Sequence, residues 1–184
     1  MLDKINNLLK NSIVLYHPYN KNLSGLSKRN IQKNIKKKII EKFIKIHHME
    51  KAKIKNNLIN SNNQIWYFSV SHTLGKTFVH FAKQPIGIDC QTIINFNGLK
   101  NNSHFFGNDS FLKLNSKIDF ILQWTTREAF LKCFCNIYHK IPNLLKWKIK
   151  VVNQCLRYFI KKNIFICKTQ YCKSYIYTIC YKAK

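Results

Sequence analysis

Residues 65–90 read IWYFSVSHTLGKTFVHFAKQPIGIDC. Two runs rich in aromatic and β-branched residues, 65–70 and 77–82, flank Gly75-Lys76, so the stretch predicts a pair of strands joined by a turn. Lys83-Gln84-Pro85 breaks the pattern. A third short strand follows over 86–90, and its last residues are a carboxylate, Asp89, and Cys90. Upstream, Ile31, Ile35, Ile39, Phe43 and Ile46 recur at helical spacing among lysines and predict a helix with one apolar stripe and a solvated lysine face. The Asn-rich residues 56–64 read as a loop, as do residues 92–116. Residues 118–135 return to a helical period, and Thr125-Thr126-Arg127-Glu128 has the form of a capping box, which predicts a new helix start at Thr125. Strand signals then cover 147–152, 156–160, 164–167 and 175–181. The order α, β-β-β, α, β-β-β-β gives an α+β fold with an antiparallel element in each half and no short tandem repeat.

The 184 residues suit one domain or two small lobes sharing a core. Hydrophobic residues make up 46%, which excludes a disordered tail despite the formal charge of +25. That charge fits nucleic acid, an anionic membrane or an acidic protein partner. It also has a plainer source. The chain holds 29 Lys, 22 Asn and 25 Ile but 3 Arg, the bias of a very AT-rich coding sequence, without the Arg forks of a dedicated phosphate binder. The seven cysteines are odd in number and lack C-x-x-C spacing, so a structural zinc site is not expected. No apolar run is long enough for a signal peptide or membrane span, so reduced thiols in a cytoplasmic protein are expected, several of them packed as small hydrophobes. Histidines 17, 47, 48, 80, 104 and 139 show no metal-ligand clustering and read as structural.

Acids are scarce: Asp3, Glu41, Glu50, Asp89, Asp109, Asp119 and Glu128. Any metal or acid–base site must draw on these. Glu128 and Lys132 share a helix face at i,i+4. From spacing alone they read as an ordinary ion pair, and Asp89 as a loop cap.

Three segments in order change that reading. Trp66-Tyr67-Phe68-Ser69-Val70-Ser71-His72-Thr73 is similar to W-F-N-L-S-H-S. Pro85-Ile86-Gly87-Ile88-Asp89-Cys90-Gln91 is similar to P-x-G-x-D-x-E. Trp124-Thr125-Thr126-Arg127-Glu128-Ala129-Phe130-Leu131-Lys132 is similar to W-T-x-K-E-A-x-x-K. Together they resemble the 4′-phosphopantetheinyl transferase superfamily of the monomeric two-lobed type. Phe105-Phe106 fits its R-F-F element, and residues 174–180 resemble its final strand. The resemblance covers residues 65–135 well and the tail weakly.

The resemblance implies two similar α/β lobes with pseudo-two-fold symmetry and an active site in the cleft between them. Residues 1–84 would form the coenzyme A side, and residues 85–184 would carry the metal and catalytic residues. It implies a holo-[acyl-carrier-protein] synthase serving fatty-acid synthesis, moving the 4′-phosphopantetheine arm of coenzyme A to a serine of an acidic acyl-carrier protein and releasing 3′,5′-ADP. Asp89, Glu128 and Gln91 would hold Mg²⁺, Glu128 would take the serine proton, Lys132 would face the phosphates, and Ser71 and His72 would contact the 3′-phosphate. A monomer is implied, with neither a specific nucleic acid nor a membrane as partner. Departures are the neutral Gln91 where the family has a second acid, Arg127 for its Lys, Cys133-Phe134-Cys135-Asn136 in place of a Gly-containing turn, and no G-K-P element. The nucleotide-gripping basic residues fall among Lys36, Lys37 and Lys38. The alternatives are a family member that binds coenzyme A without turnover, and a basic nucleic-acid-binding module using Trp66 and Tyr67 as stacking platforms.

Overall fold

The structure is a computed structural model, and it describes residues 12–19, 25–61, 64–73, 75–93, 117–142, 147–152, 155–160, 162–172 and 175–183. Within them the fold is α+β, with two helices and two five-stranded antiparallel sheets, each sheet packed with one helix. The first half runs β1 (Ser12–Pro18), α1 (Gly25–Ile46), β2 (Lys53–Lys55), β3 (Leu58–Ser61), β4 (Gln64–Thr73) and β5 (Lys76–Ala82). The second runs β6 (Ile86–Thr92), α2 (Lys117–Tyr138), β7 (Trp147–Val152), β8 (Cys155–Ile160), β9 (Asn163–Cys172) and β10 (Tyr175–Lys182). The sheet orders are β1-β5-β4-β3-β2 and β6-β10-β9-β8-β7. These are one topology drawn twice, which gives two similar lobes.

Alternation along the strands builds three cores. From β4 and β5, Trp66, Phe68, Val79 and Phe81 face α1 and meet Ile35, Ile39, Ile40 and Phe43. The other face of β5 presents Phe78 and Ala82, which with Val14 pack against Ile86, Ile88, Cys90, Tyr177 and Ile179 of the second sheet. The far face of that sheet meets Ala129, Phe130, Cys133 and Phe134 of α2. The layers therefore run helix, sheet, sheet, helix. Gly87 permits the closest approach: a Cβ there would lie 1.9 Å from the Ala129 carbonyl oxygen and 2.3 Å from the Cys133 nitrogen.

Several local expectations differ from the structure. β1, β2 and β3 are strands that the residue pattern did not announce, and β3 lies in the stretch expected to be loop. Helix α2 runs through Thr125 without restarting. The Thr125 and Thr126 hydroxyls donate back to the Leu122 carbonyl at 3.1 and 2.8 Å, which threonine does inside a helix as readily as it caps one. Ile46 lies in the last turn of α1 and is exposed, whereas Ile40 is buried. Trp124 is half-buried against Phe120, Ile121 and Ile176. Most of residues 92–116, including Phe105-Phe106, lie outside the described residues. Cys90, Cys133, Cys167 and Cys180 are buried free thiols. No described helix is long and apolar enough to cross a membrane.

Candidate functional site

Strand β6 forms an edge of the second sheet, so Ile86, Ile88 and Cys90 turn backbone groups away from β10 with no ladder partner. Side chains supply the bonds instead. The Ser69 hydroxyl accepts from the Ile88 N–H at 3.0 Å, and the Ser71 hydroxyl accepts from the Cys90 N–H at 3.0 Å. Asn136 donates to the Ile86 carbonyl at 2.7 Å, and Lys132 donates to the Ile88 carbonyl at 3.1 Å. Asn57, from the β2–β3 turn, donates to the Asn136 side-chain oxygen at 2.9 Å. The two lobes are thus stitched along β4 and β6, with α2 closing the seam.

Asp89 sits at the centre of this seam, 3% exposed, on the α2 side of β6. Its Oδ1 accepts from the Ser71 hydroxyl at 2.9 Å and from Lys132 Nζ at 2.9 Å. Its Oδ2 accepts from Gln91 Nε2 at 3.2 Å. One helical turn before Lys132, half-buried Glu128 has no hydrogen bond or ion pair among the described residues. Burial raises its carboxyl above the usual carboxylate range. The charge of Asp89 raises it further, while Lys132 and Arg127 pull it back. Two of the chain's few acids therefore stand close enough to repel, one fully engaged and one free.

His72 follows Ser71 on β4 and lies at the rim, its Nδ1 3.0 Å from the Thr77 hydroxyl. Partial burial of the ring lowers its pKa to about 4 although the residue as a whole is exposed, and the positive charges of Lys132, Lys36 and Lys28 add to the fall. At neutral pH it is therefore an uncharged hydrogen-bonding group beside three ammonium groups. Of the three candidate lysines Lys36 is the one that acts on this ring, whereas Lys37 pairs at 3.8 Å with Glu41 and Lys38 is exposed. Sequence reasoning missed Lys28. Eight residues separate it from Lys36, about two helical turns, so both lie on one side of α1, and that spacing was the available signal. A cavity of about 400 Å³ opens between the lobes and reaches the site at Lys132. Lys36, Asn57, Val70, Leu131 and Asn136 line it with Lys132.

The structure brings Ser71, His72, Asp89, Gln91, Glu128 and Lys132 to one place. Two of them differ in posture from expectation. Ser71 is 2% exposed, with its hydroxyl committed to Asp89 and the Cys90 N–H rather than facing the cleft. Lys132 points inward to Asp89 and the Ile88 carbonyl, with its side chain 31% exposed. Among the described residues no three His, Cys, Asp or Glu side chains gather to hold a metal. The available donor set is two carboxylates and the Gln91 amide. That suits a hard cation taking its remaining ligands from water and phosphate. For Gln91 to join, its amide must turn so that oxygen replaces the nitrogen now donating to Asp89. No family model and no curated protein matches the chain.

Proposed function

We propose that this chain transfers the 4′-phosphopantetheine arm of coenzyme A to a serine of an acidic acyl-carrier protein. The observation that carries this reading is the meeting of β4, β6 and α2. Three segments far apart in sequence, each bearing a family-like motif, contribute Ser71-His72, Asp89-Gln91 and Glu128–Lys132 to a single cleft between similar lobes.

In this reading Glu128 is the base. Its carboxyl is free of local partners and its raised pKa suits proton uptake from the attacking serine. The serine oxygen bonds to the phosphorus that bears the pantetheine arm, the diphosphate P–O bond breaks, and 3′,5′-ADP leaves. Asp89 and Glu128, with Gln91 through its amide oxygen, would hold Mg²⁺, whose charge would offset that of the diphosphate. Lys28, Lys36 and His72 line the rim as anion contacts. Lys132 holds Asp89 in place and gives the cleft positive charge. The lysines of α1 attract an acidic carrier over a distance, an effect that salt weakens.

The test is intact-mass spectrometry of an apo acyl-carrier protein incubated with the chain, coenzyme A and Mg²⁺. The carrier is expected to gain one phosphopantetheine arm. Glu128→Gln and Asp89→Ala are each expected to slow the gain by about 100-fold or more, and chelator to stop it. The rate should fall as pH drops through the raised pKa of Glu128, because the protonated carboxyl no longer accepts a proton. No gain from a folded chain that binds coenzyme A would make it a binder without turnover. Absence of coenzyme A binding as well would overturn the family reading.

A further inference from the structure

We infer that Ser71 is a positioning residue for Asp89 and not a contact for the nucleotide's phosphate; this rests on the proposed metal role of Asp89. The Ser71 hydroxyl has one hydrogen to give and gives it to Asp89 Oδ1 at 2.9 Å, while it accepts from the Cys90 N–H at 3.0 Å. With 2% of the residue exposed, no face of that hydroxyl is left for a phosphate in the cleft. Lys132 Nζ holds the same carboxylate oxygen at 2.9 Å. Asp89 is therefore clamped by Oδ1 from both lobes, by Ser71 on β4 and Lys132 on α2. Its Oδ2 meets only the Gln91 amide at 3.2 Å among the described residues, which makes it the oxygen that would remain for a cation. Ser71 thereby sets which oxygen of Asp89 is presented, and at what angle.

The neighbouring bond provides an internal control. Ser69 is equally buried at 2% and makes the equivalent bond to the Ile88 N–H at 3.0 Å, but no bond to Asp89. Removing either hydroxyl costs the seam one hydrogen bond. Removing that of Ser71 alone also takes away one of the two holds on Asp89 Oδ1 and leaves Lys132 as the other.

The experiment compares Ser71→Ala, Ser71→Thr and Ser69→Ala in the full chain. Electron paramagnetic resonance reads Mn²⁺ binding without turnover, and calorimetry compares coenzyme A with its 3′-dephospho form. Ser71→Ala is expected to weaken Mn²⁺ binding about tenfold, the usual scale for losing an orienting partner of a metal ligand. Ser71→Thr should restore most of the loss, and Ser69→Ala should change it less than twofold. Preference for coenzyme A over the dephospho form should be the same in all three. Loss of that preference in Ser71→Ala with Mn²⁺ binding intact would overturn the proposal and make Ser71 a phosphate contact. Equal Mn²⁺ losses in Ser71→Ala and Ser69→Ala would also overturn it, leaving both serines as seam bonds. The ¹⁵N-detected ammonium signal of Lys132 reads the clamp separately from function. A shift in Ser71→Ala but not in Ser69→Ala supports the clamp even if wild type binds neither Mn²⁺ nor coenzyme A, a result that sinks the proposed function instead. No shift in either variant overturns it.

Discussion

The two lobes share strand order but differ in how tightly helix meets sheet. Helix α1 buries Ile35, Ile39, Ile40 and Phe43, with Ile31 and Ile44 partly buried beside them, and turns most of its lysines to solvent. Helix α2 buries nine residues, among them Gln123, Thr125 and Thr126, and lies so close to β6 that Gly87 has no room for a side chain. The first lobe thus offers cations on a surface. The second holds both carboxylates of the site in a packed frame.

The largest test of that contrast uses glycine. Gly87→Ala should cost about 3 kcal/mol or more, or prevent folding, because a methyl group would strike α2 backbone that cannot retreat. Gly25→Ala, at the start of α1, has open space around it and a φ of +58°, so it should cost only about 1–2 kcal/mol of left-handed strain. Urea denaturation of both variants decides. Equal costs would erase the proposed difference between the helices.

A smaller effect lies in the layer between the lobes. His80 Nδ1 is 2.7 Å from the Tyr177 hydroxyl, and burial lowers its pKa to about 3. The unfolded chain takes up a proton there below about pH 6.5 and the folded chain does not. Stability from this group is therefore full above pH 6.5 and falls by up to about 1.4 kcal/mol per pH unit on acidification toward pH 3. Denaturation midpoints between pH 7 and 4.5 should show this slope, and His80→Asn should flatten it. An unchanged slope in the variant would assign acid sensitivity elsewhere. The smallest effect belongs to the outer face of α1. Glu41→Gln breaks the exposed Lys37–Glu41 pair at 3.8 Å and should shift stability by no more than about 0.5 kcal/mol. A larger loss would mean that α1 is held by its surface as well as its stripe.

The central strands were legible as runs of aromatic and β-branched residues, and α2 by its helical period, although that helix was expected to restart at Thr125. The first strands were not. β2 is exposed at all three positions, and β3 buries only Ile59, so neither carries an alternation to read. A signal did exist in the turn between them. Asn56 and Asn57 both adopt positive φ, 49° and 60°, and Asn-Asn between Ile54 and Ile59 is the chemistry of a tight hairpin. At the site, scarcity of acids and the three motifs singled out Asp89, Glu128 and Lys132. The inward turn of Ser71 could not be read, because it follows from β4 lying beside an edge strand of another sheet. Sequence spacing carries no information on that neighbour.

The seam between β4 and β6 has a consequence for solubility. While the lobes are docked, Ser69, Ser71, Lys132 and Asn136 occupy backbone groups on the outer side of β6. When the lobes part, the Ile88 and Cys90 N–H groups lose their serine partners, while Lys132 and Asn136, in the same lobe as β6, stay on its carbonyls; the freed N–H groups lie beside Ile86, Ile88 and Cys90, an apolar edge suited to adding a strand from another chain. Repulsion among +25 charges opposes such contacts in dilute buffer, and salt removes that protection. Precipitation of this protein should therefore begin with separation of its lobes, before either sheet melts.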